Sequence, residues 1–284
     1  MYGPAIICRT LSIPSVSDRH GNRWQYYSRS DHHAKVAAWA ILFDLLLQCP
    51  VLRKHAERGD VTLGLNREIH DFWTGEKKNV DFVLGVPDAG VADARTATLK
   101  ALRRKYDIEL SAEEADLLEY LPDVGGLPVR NIQLAVDVRT CMTGHAAAVP
   151  RLQRDLDAGH RTIHGAADSA IAVAFVMVNG AEEFVSPDRN KFSLADAPAV
   201  VSRHTQPDDA ARVSTRVREV AHRDDLEDEG YDALGLVALA ARNDGRPVKL
   251  LHDAAAPDGE DPIRYEGMLA RMAGAYEARF AAVW

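Results

Sequence analysis

The stretch Gln133-Leu-Ala-Val-Asp137-Val-Arg139-Thr-Cys-Met-Thr-Gly-His145 decides how the chain is read. Ile132, Leu134 and Val136 alternate with Gln133, Ala135 and Asp137, which is the period of a strand. Thr143 then stands as N-cap before a helical pattern of Val149, Leu152 and Leu156. Asp137 and Arg139 therefore project from one face of the strand. An acid and a cation so placed suit a metal ion and a phosphate: the carboxylate is a hard oxygen ligand, and the guanidinium opposes developing negative charge. The same pair also describes an ordinary solvated strand end.

Upstream, Ser30-Asp31 opens a helix that runs to Gln48, apolar at almost every position and ended by Pro50. Such a helix is buried nearly all round. Asp31, His33 and Lys35 crowd its first turn; Asp31 is read as the cap and Asp44 as facing a wet seam. Val61, Leu63 and Leu65 mark a strand that continues to Glu68, and Asp71 to Lys78, with Thr74-Gly75, marks a turn. Val80 to Val86 is the next strand, apolar except for Asp81 at its mouth. A carboxylate there needs a partner: a metal, a cation such as Lys78, or water.

Residues 93–106 and 111–121 have helical periodicity, the second with a capping-box start at Ser111, and form a helical insertion before the Gln133 strand. Downstream, Ser169 to Val178 reads as a strand buried on both sides. Residues 180–204 are irregular, and Pro207 opens an amphipathic helix. Leu234 to Ala240 is another buried strand, and Asn243-Asp-Gly-Arg turns it into a hairpin. The apolar stripe of the helix after Asp261-Pro262 is core, or pairs with a second subunit as a homodimer. Residues 1–30 read as a leading arm whose Trp24, Tyr26 and Tyr27 cover the core.

The 284 residues carry no repeat or low-complexity linker, so one domain with appended elements is the economical reading. A formal net charge of −8 excludes a generally basic nucleic-acid binder but not one with a single basic groove. Cys8, Cys49 and Cys141 form no disulfide framework or zinc ribbon, which suits a reducing cytoplasm. No secretory pattern or membrane span is read, because the longest apolar run, Val36 to Leu47, is short and contains Asp44.

Reduced to its middle, the chain reads helix, strand, strand beginning at Asp81, strand ending at Asp137 and Arg139, helix, strand. This order resembles the PD-(D/E)XK nuclease core of many restriction endonucleases, with Asn79-Val80-Asp81 as the first half-motif and Asp137-Val138-Arg139 as the second. The resemblance spans about 31–178, leaving 1–30 and 179–284 as additions. It implies an α/β restriction-endonuclease-like fold, with a mixed central sheet flanked by helices, a helical insertion and C-terminal additions. It also implies a metal-dependent DNA endonuclease of restriction or phage-defence type. Asp81, Asp137 and the Val138 carbonyl would hold Mg2+, with Mn2+ as an alternative, and Glu68 would be an additional acid.

Arg139 stands where the family has lysine. Arginine stays protonated and only stabilises charge, so Lys78, Lys35 or His145 would have to supply what the lysine does. Arg151 and Arg154 on the following helix, with Lys35, are the candidate DNA-facing cations. A second reading is a catalytically silent nuclease-like module that binds nucleic acid or a protein partner. A third, an unrelated α/β enzyme using His32, His33, His145, His160 and His164, ranks last because no metal-ligand spacing appears. On the nuclease reading, Asp81 and Asp137 lie on adjacent strands with their carboxylates on one face, close enough to share a cation; opposite faces would remove that reading.

Overall fold

In the computed structural model, which describes residues 1–88, 90, 97–252 and 256–282, the strand read from Gln133 runs over Val129–Cys141. Its alternate residues face two separate cores. Leu134, Val136 and Val138 pack into one, and Ala135 and Cys141 into the other.

The elements in chain order are α1 (Gly3–Leu11), β1 (Val16–Ser17), β2 (Arg23–Trp24), α2 (His32–Gln48), α3 (Pro50–Arg58), β3 (Thr62–His70) and β4 (Lys77–Pro87). Next come α4 (Leu99–Lys105), α5 (Ala112–Tyr120), β5 (Val129–Cys141), α6 (His145–Ala166), β6 (Ile171–Asn179), β7 (Glu183–Val185) and β8 (Val201–Arg203). The chain closes with α7 (Asp208–Arg218), β9 (Ala233–Ala240), β10 (Lys249–Leu250) and α8 (Tyr265–Phe280). The protein is an α/β fold with a six-strand mixed sheet, ordered β10-β9-β6-β5-β4-β3, packed against helices. β3, β4 and β5 are joined antiparallel, β5, β6 and β9 parallel, and β10 returns antiparallel on β9. The parallel joins need crossovers, which α6 and α7 supply on one face. On the other face lie α1, α2, α3 and α8. Every residue of β6 is buried, as a strand covered on both sides requires.

Helix α2 follows its apolar run and is buried from Ala34 to Leu46. Pro50, read as its stop, also opens α3. The insertion between β4 and β5 contains α4 and α5; the start of its first helix, from Asp93, lies outside the described residues. Three readings are corrected. The leading arm contains a helix, α1, because Asp44 reaches its N-terminus from the middle of α2. The Asp44 carboxylate accepts the Tyr2 N–H at 3.0 Å and the Gly3 N–H at 2.7 Å, so it is a buried cap and not a wet-seam residue. Thr143 does not cap α6: Gly144, in the left-handed region, takes that position, and the Thr143 hydroxyl bonds His204 at 3.0 Å. Among the described residues, no single helix is long and apolar enough to cross a membrane.

Burial pulls the His33 imidazole, in the first turn of α2, from 6.5 down to about 4, with the charges of His32 and Lys35 adding to the effect and Asp31 opposing it. A histidine depressed in the folded state contributes stability above its unfolded pKa, and that stability is lost as pH falls toward the folded value. Urea unfolding of wild type should therefore lose up to about 3 kcal/mol more than His33→Phe between pH 6.5 and 4. Parallel pH profiles for the two proteins would contradict this assignment.

Candidate functional site

The β3–β4 hairpin changes face part-way along its length. On β3, Leu63 and Leu65 face the α2 side, whereas Ile69 faces α6; on β4, Leu84 and Phe82 face α2, whereas Val80 faces α6. Residues of equal parity thus lie on opposite faces, and the switch falls at Asn66 and Asp81. Neither appears in the pairing register, which passes from Leu65↔Phe82 to Arg67↔Val80. Asn66 has a φ of 48°, a left-handed conformation that asparagine tolerates better than most residues. The switch carries Lys78 onto the α6 face.

Asp137 is waiting there. It follows Val136, whose pairing with Phe82 is the last step of the described β4–β5 ladder, and it is only 1% exposed. Lys78 Nζ reaches its Oδ2 at 2.7 Å, and Arg139 donates to the same oxygen from Nε at 3.1 Å and Nη2 at 3.0 Å. Arg139 Nη1 also lies 3.5 Å from Asp155 of α6. Burial works against the Arg139 charge, yet Asp137 and then Asp155 hold its pKa above the ordinary value. None of the hydrogen bonds described for Asp137 uses its Oδ1.

Asp81 is held from the other side. Past the end of the ladder its Oδ2 accepts the Val138 N–H at 2.9 Å, in place of a backbone acceptor. Lys35 from α2 stands 3.6 Å from Asp81 Oδ1 and donates to the Asp81 carbonyl and the Asn66 amide oxygen. Burial raises the Asp81 pKa most, Val138 and Lys35 pull it back, and Asp137 adds to the rise. The acids lie on adjacent strands, as expected, but Lys35 engages Asp81 from the α2 face and Lys78 engages Asp137 from the α6 face, which counts against the expected single-face pair sharing a cation.

The other expected site residues divide. Lys78 joins Asp137. Lys35 reaches Asp81, but its side chain is 0% exposed, so it faces no nucleic acid. The reason is that its charge is spent inside the fold on Asp31, Asn66 and Asp81. Glu68 does not join the acids: it is exposed and pairs with His70 and Lys77. Nor does His145, whose Nε2 bonds the Asn179 carbonyl at 2.8 Å at the start of α6. Arg151 and Arg154 are exposed on α6, and Arg151 lies 3.7 Å from Asp155.

Two residues that sequence reasoning passed over complete the site. Gly159 of α6 lies against it: a Cβ there would overlap the Tyr231 hydroxyl and stand 2.5 Å from Lys78 Nζ and 3.2 Å from Asp137 Oδ2. A glycine inside a 22-residue helix is the one signal that could have pointed to a close approach. Tyr231 is fully buried, and its hydroxyl has no hydrogen-bond partner among the described residues. An orphaned buried hydroxyl beside a carboxylate and two cations fits a bound water.

Among the described residues, no cluster of three or more His, Cys, Asp or Glu could hold a metal. The donor set is therefore two carboxylates and the Val138 carbonyl. Lys78 and Arg139 occupy Asp137, and Lys35 and the Val138 N–H occupy Asp81, so a hard cation such as magnesium would have to displace them to use that set. Comparison with known families, curated proteins and solved structures gives no match, so the functional reading rests on these residues.

Gly159→Ala tests the close approach. In an exposed helix this change stabilises by about 0.5–1 kcal/mol; here the added methyl should destabilise by roughly 1–3 kcal/mol, because Tyr231 is boxed in. A raised melting temperature would show that the site has room to spare.

Proposed function

We propose that the chain is a metal-dependent DNA endonuclease of the PD-(D/E)XK kind, of restriction or phage-defence type, in which Lys78 on β4 takes the part of the lysine replaced by Arg139 on β5. The observation that carries this reading is the 2.7 Å contact between Lys78 Nζ and Asp137 Oδ2. The order α2-β3-β4-β5-α6-β6 supports it, because these four strands are contiguous in one sheet and the two acids stand on its adjacent middle strands.

Magnesium or manganese, held by Asp81, Asp137 and the Val138 carbonyl, would neutralise charge on the phosphodiester and acidify a bound water. The protein's own groups divide the remaining work. Lys78, freed from Asp137, can orient the attacking water or exchange a proton with it, which a guanidinium cannot do near neutral pH. Arg139 opposes charge on the non-bridging oxygens. The buried Tyr231 hydroxyl has an unused proton to donate to a water beside Asp137. Arg151 and Arg154 offer exposed positive charge along α6 to the DNA backbone, local attraction that a chain of net charge −8 needs.

A specific observation favours the second reading, a silent nuclease-like module: Lys78 and Arg139 both bind one oxygen of Asp137, and Lys35 faces Asp81, so both acids are neutralised without a metal. Cleavage assays separate the two. With Mg2+ or Mn2+, Asp137→Asn should abolish cleavage, Lys78→Met should slow it by about 100-fold or more, and Arg139→Lys should keep or raise the rate. If wild type and Asp137→Asn both leave every DNA tested intact while binding it equally, the silent module is the better account. Binding should weaken steeply with salt, and replacing Arg151 or Arg154 by alanine should reduce the log–log slope by about 0.9 for each duplex phosphate that is no longer neutralised. A salt-independent association would point to a protein partner.

A further inference from the structure

The turn between β3 and β4 exposes two adjacent aromatic rings: Phe72 is 80% and Trp73 90% exposed. The backbone beneath them is firmly held. Asp71 Oδ1 accepts the Trp73 N–H at 2.7 Å and the Thr74 N–H at 3.1 Å, and the Asp71 carbonyl accepts the Gly75 N–H at 2.9 Å. Gly75, with a φ of 72°, closes the turn, and the Phe72 N–H donates to the Gly165 carbonyl of α6 at 3.1 Å. The rings are thus displayed on a fixed support, which lowers the ordering cost of any contact they make.

Their position relative to Asp137 is set by two elements. Lys78 belongs to the same hairpin, and Gly165 lies six residues along α6 from Gly159, about 9 Å at 1.5 Å per residue. This rise along α6, between the contact with Asp137 and the contact with the turn, compares with roughly three base steps at 3.4 Å each. The surroundings are polar, with Thr74, Glu76 and Lys77 next to the rings, and the other exposed large apolar residues described, such as Ile13, Tyr120 and Leu226, lie on other elements. Two rings do not make the contiguous apolar patch of several hundred Å² that marks a protein-docking surface. They suit the faces of nucleobases, which stack on aromatic side chains whatever their sequence.

We propose that Phe72 and Trp73 form a stacking platform for bases of the nucleic-acid strand whose phosphate lies at Asp137. This rests on the nuclease-like reading of that site. It adds a requirement for unpaired or unstacked bases close to the reacting phosphate, since a base inside a duplex offers its face to its neighbours.

The test uses fluorescein-labelled 20-nucleotide single-stranded DNA and the matching duplex, with wild-type protein in EDTA so that no cleavage occurs. Trp73→Ala should weaken single-strand binding by roughly 5- to 150-fold, the equivalent of unstacking one base, and Trp73→Phe should restore most of it. Trp24 and Trp39 are buried and Trp284 lies outside the described residues, so the quenching that reports on Trp73 is the part present in wild type and absent from Trp73→Phe. Equal affinity of wild type and Trp73→Ala for both DNAs overturns the proposal. So does a wild type that ignores DNA but self-associates, or binds lipid vesicles, through Trp73. If Trp73→Ala cleaves DNA with magnesium at the wild-type KM, the platform falls and the nuclease reading stands. If stacking is found but neither magnesium nor manganese gives cleavage, the platform stands and the nuclease reading falls.

Discussion

A carboxylate closed off from solvent has to be neutralised from within the protein, and Asp137 imposes that requirement on everything around it. Leaving such a charge buried and unpaired costs several kcal/mol, so Lys78 and Arg139 converge on its Oδ2. Arg139 arrives by simple strand alternation. Lys78 does not: continuous alternation would put it on the face of Phe82, turned toward α2. The change of face at Asn66 and Asp81 brings it across, and the bare Cα of Gly159 leaves room for its ammonium and the Tyr231 ring. Substitutions at four separate elements therefore report on one charge.

The same switch explains why the two acids have different keepers. At the point where β4 turns over, the Asp81 carboxylate takes the Val138 N–H that the ladder has released. Lys35 closes it from the α2 side. The arrangement holds two carboxylates on adjacent strands, each with one oxygen engaged by an N–H and the other less committed, and with their cations on opposite faces of the sheet. A divalent cation would have to compete there with ammonium and guanidinium groups that already neutralise both acids.

Much of the fold was legible because burial leaves a long imprint. The apolar run behind α2, the alternation in β5 and the unbroken apolar stretch of β6 each required one structure and one degree of covering. Asp81 and Asp137 stood out as acids at the ends of apolar strands, and their placement on neighbouring strands followed from element order. What escaped depended on contacts between distant residues. The helix α1 takes its cap from Asp44, 41 positions away from Gly3, and its one local start signal, Pro4 in the first turn, reads equally as a turn residue. The exposed role read for Lys35 failed because, besides Asp31, its partners Asn66 and Asp81 sit on β3 and β4, and Glu68 lies on the part of the hairpin beyond the switch. Tyr231 reaches the site from the segment before β9, which no spacing in the sequence connects to Asp137.

Whether Asp81 and Asp137 form a cation site with Lys78 beside it is tested most directly by soaking crystals of the wild-type protein in manganese and measuring anomalous scattering. The expected result is a peak between the two carboxylates, within about 2.0–2.3 Å of an oxygen of each and of the Val138 carbonyl, with Lys78 and Arg139 moved away from Asp137 Oδ2. No peak at saturating manganese, with Lys78 still seated on Asp137, would contradict it.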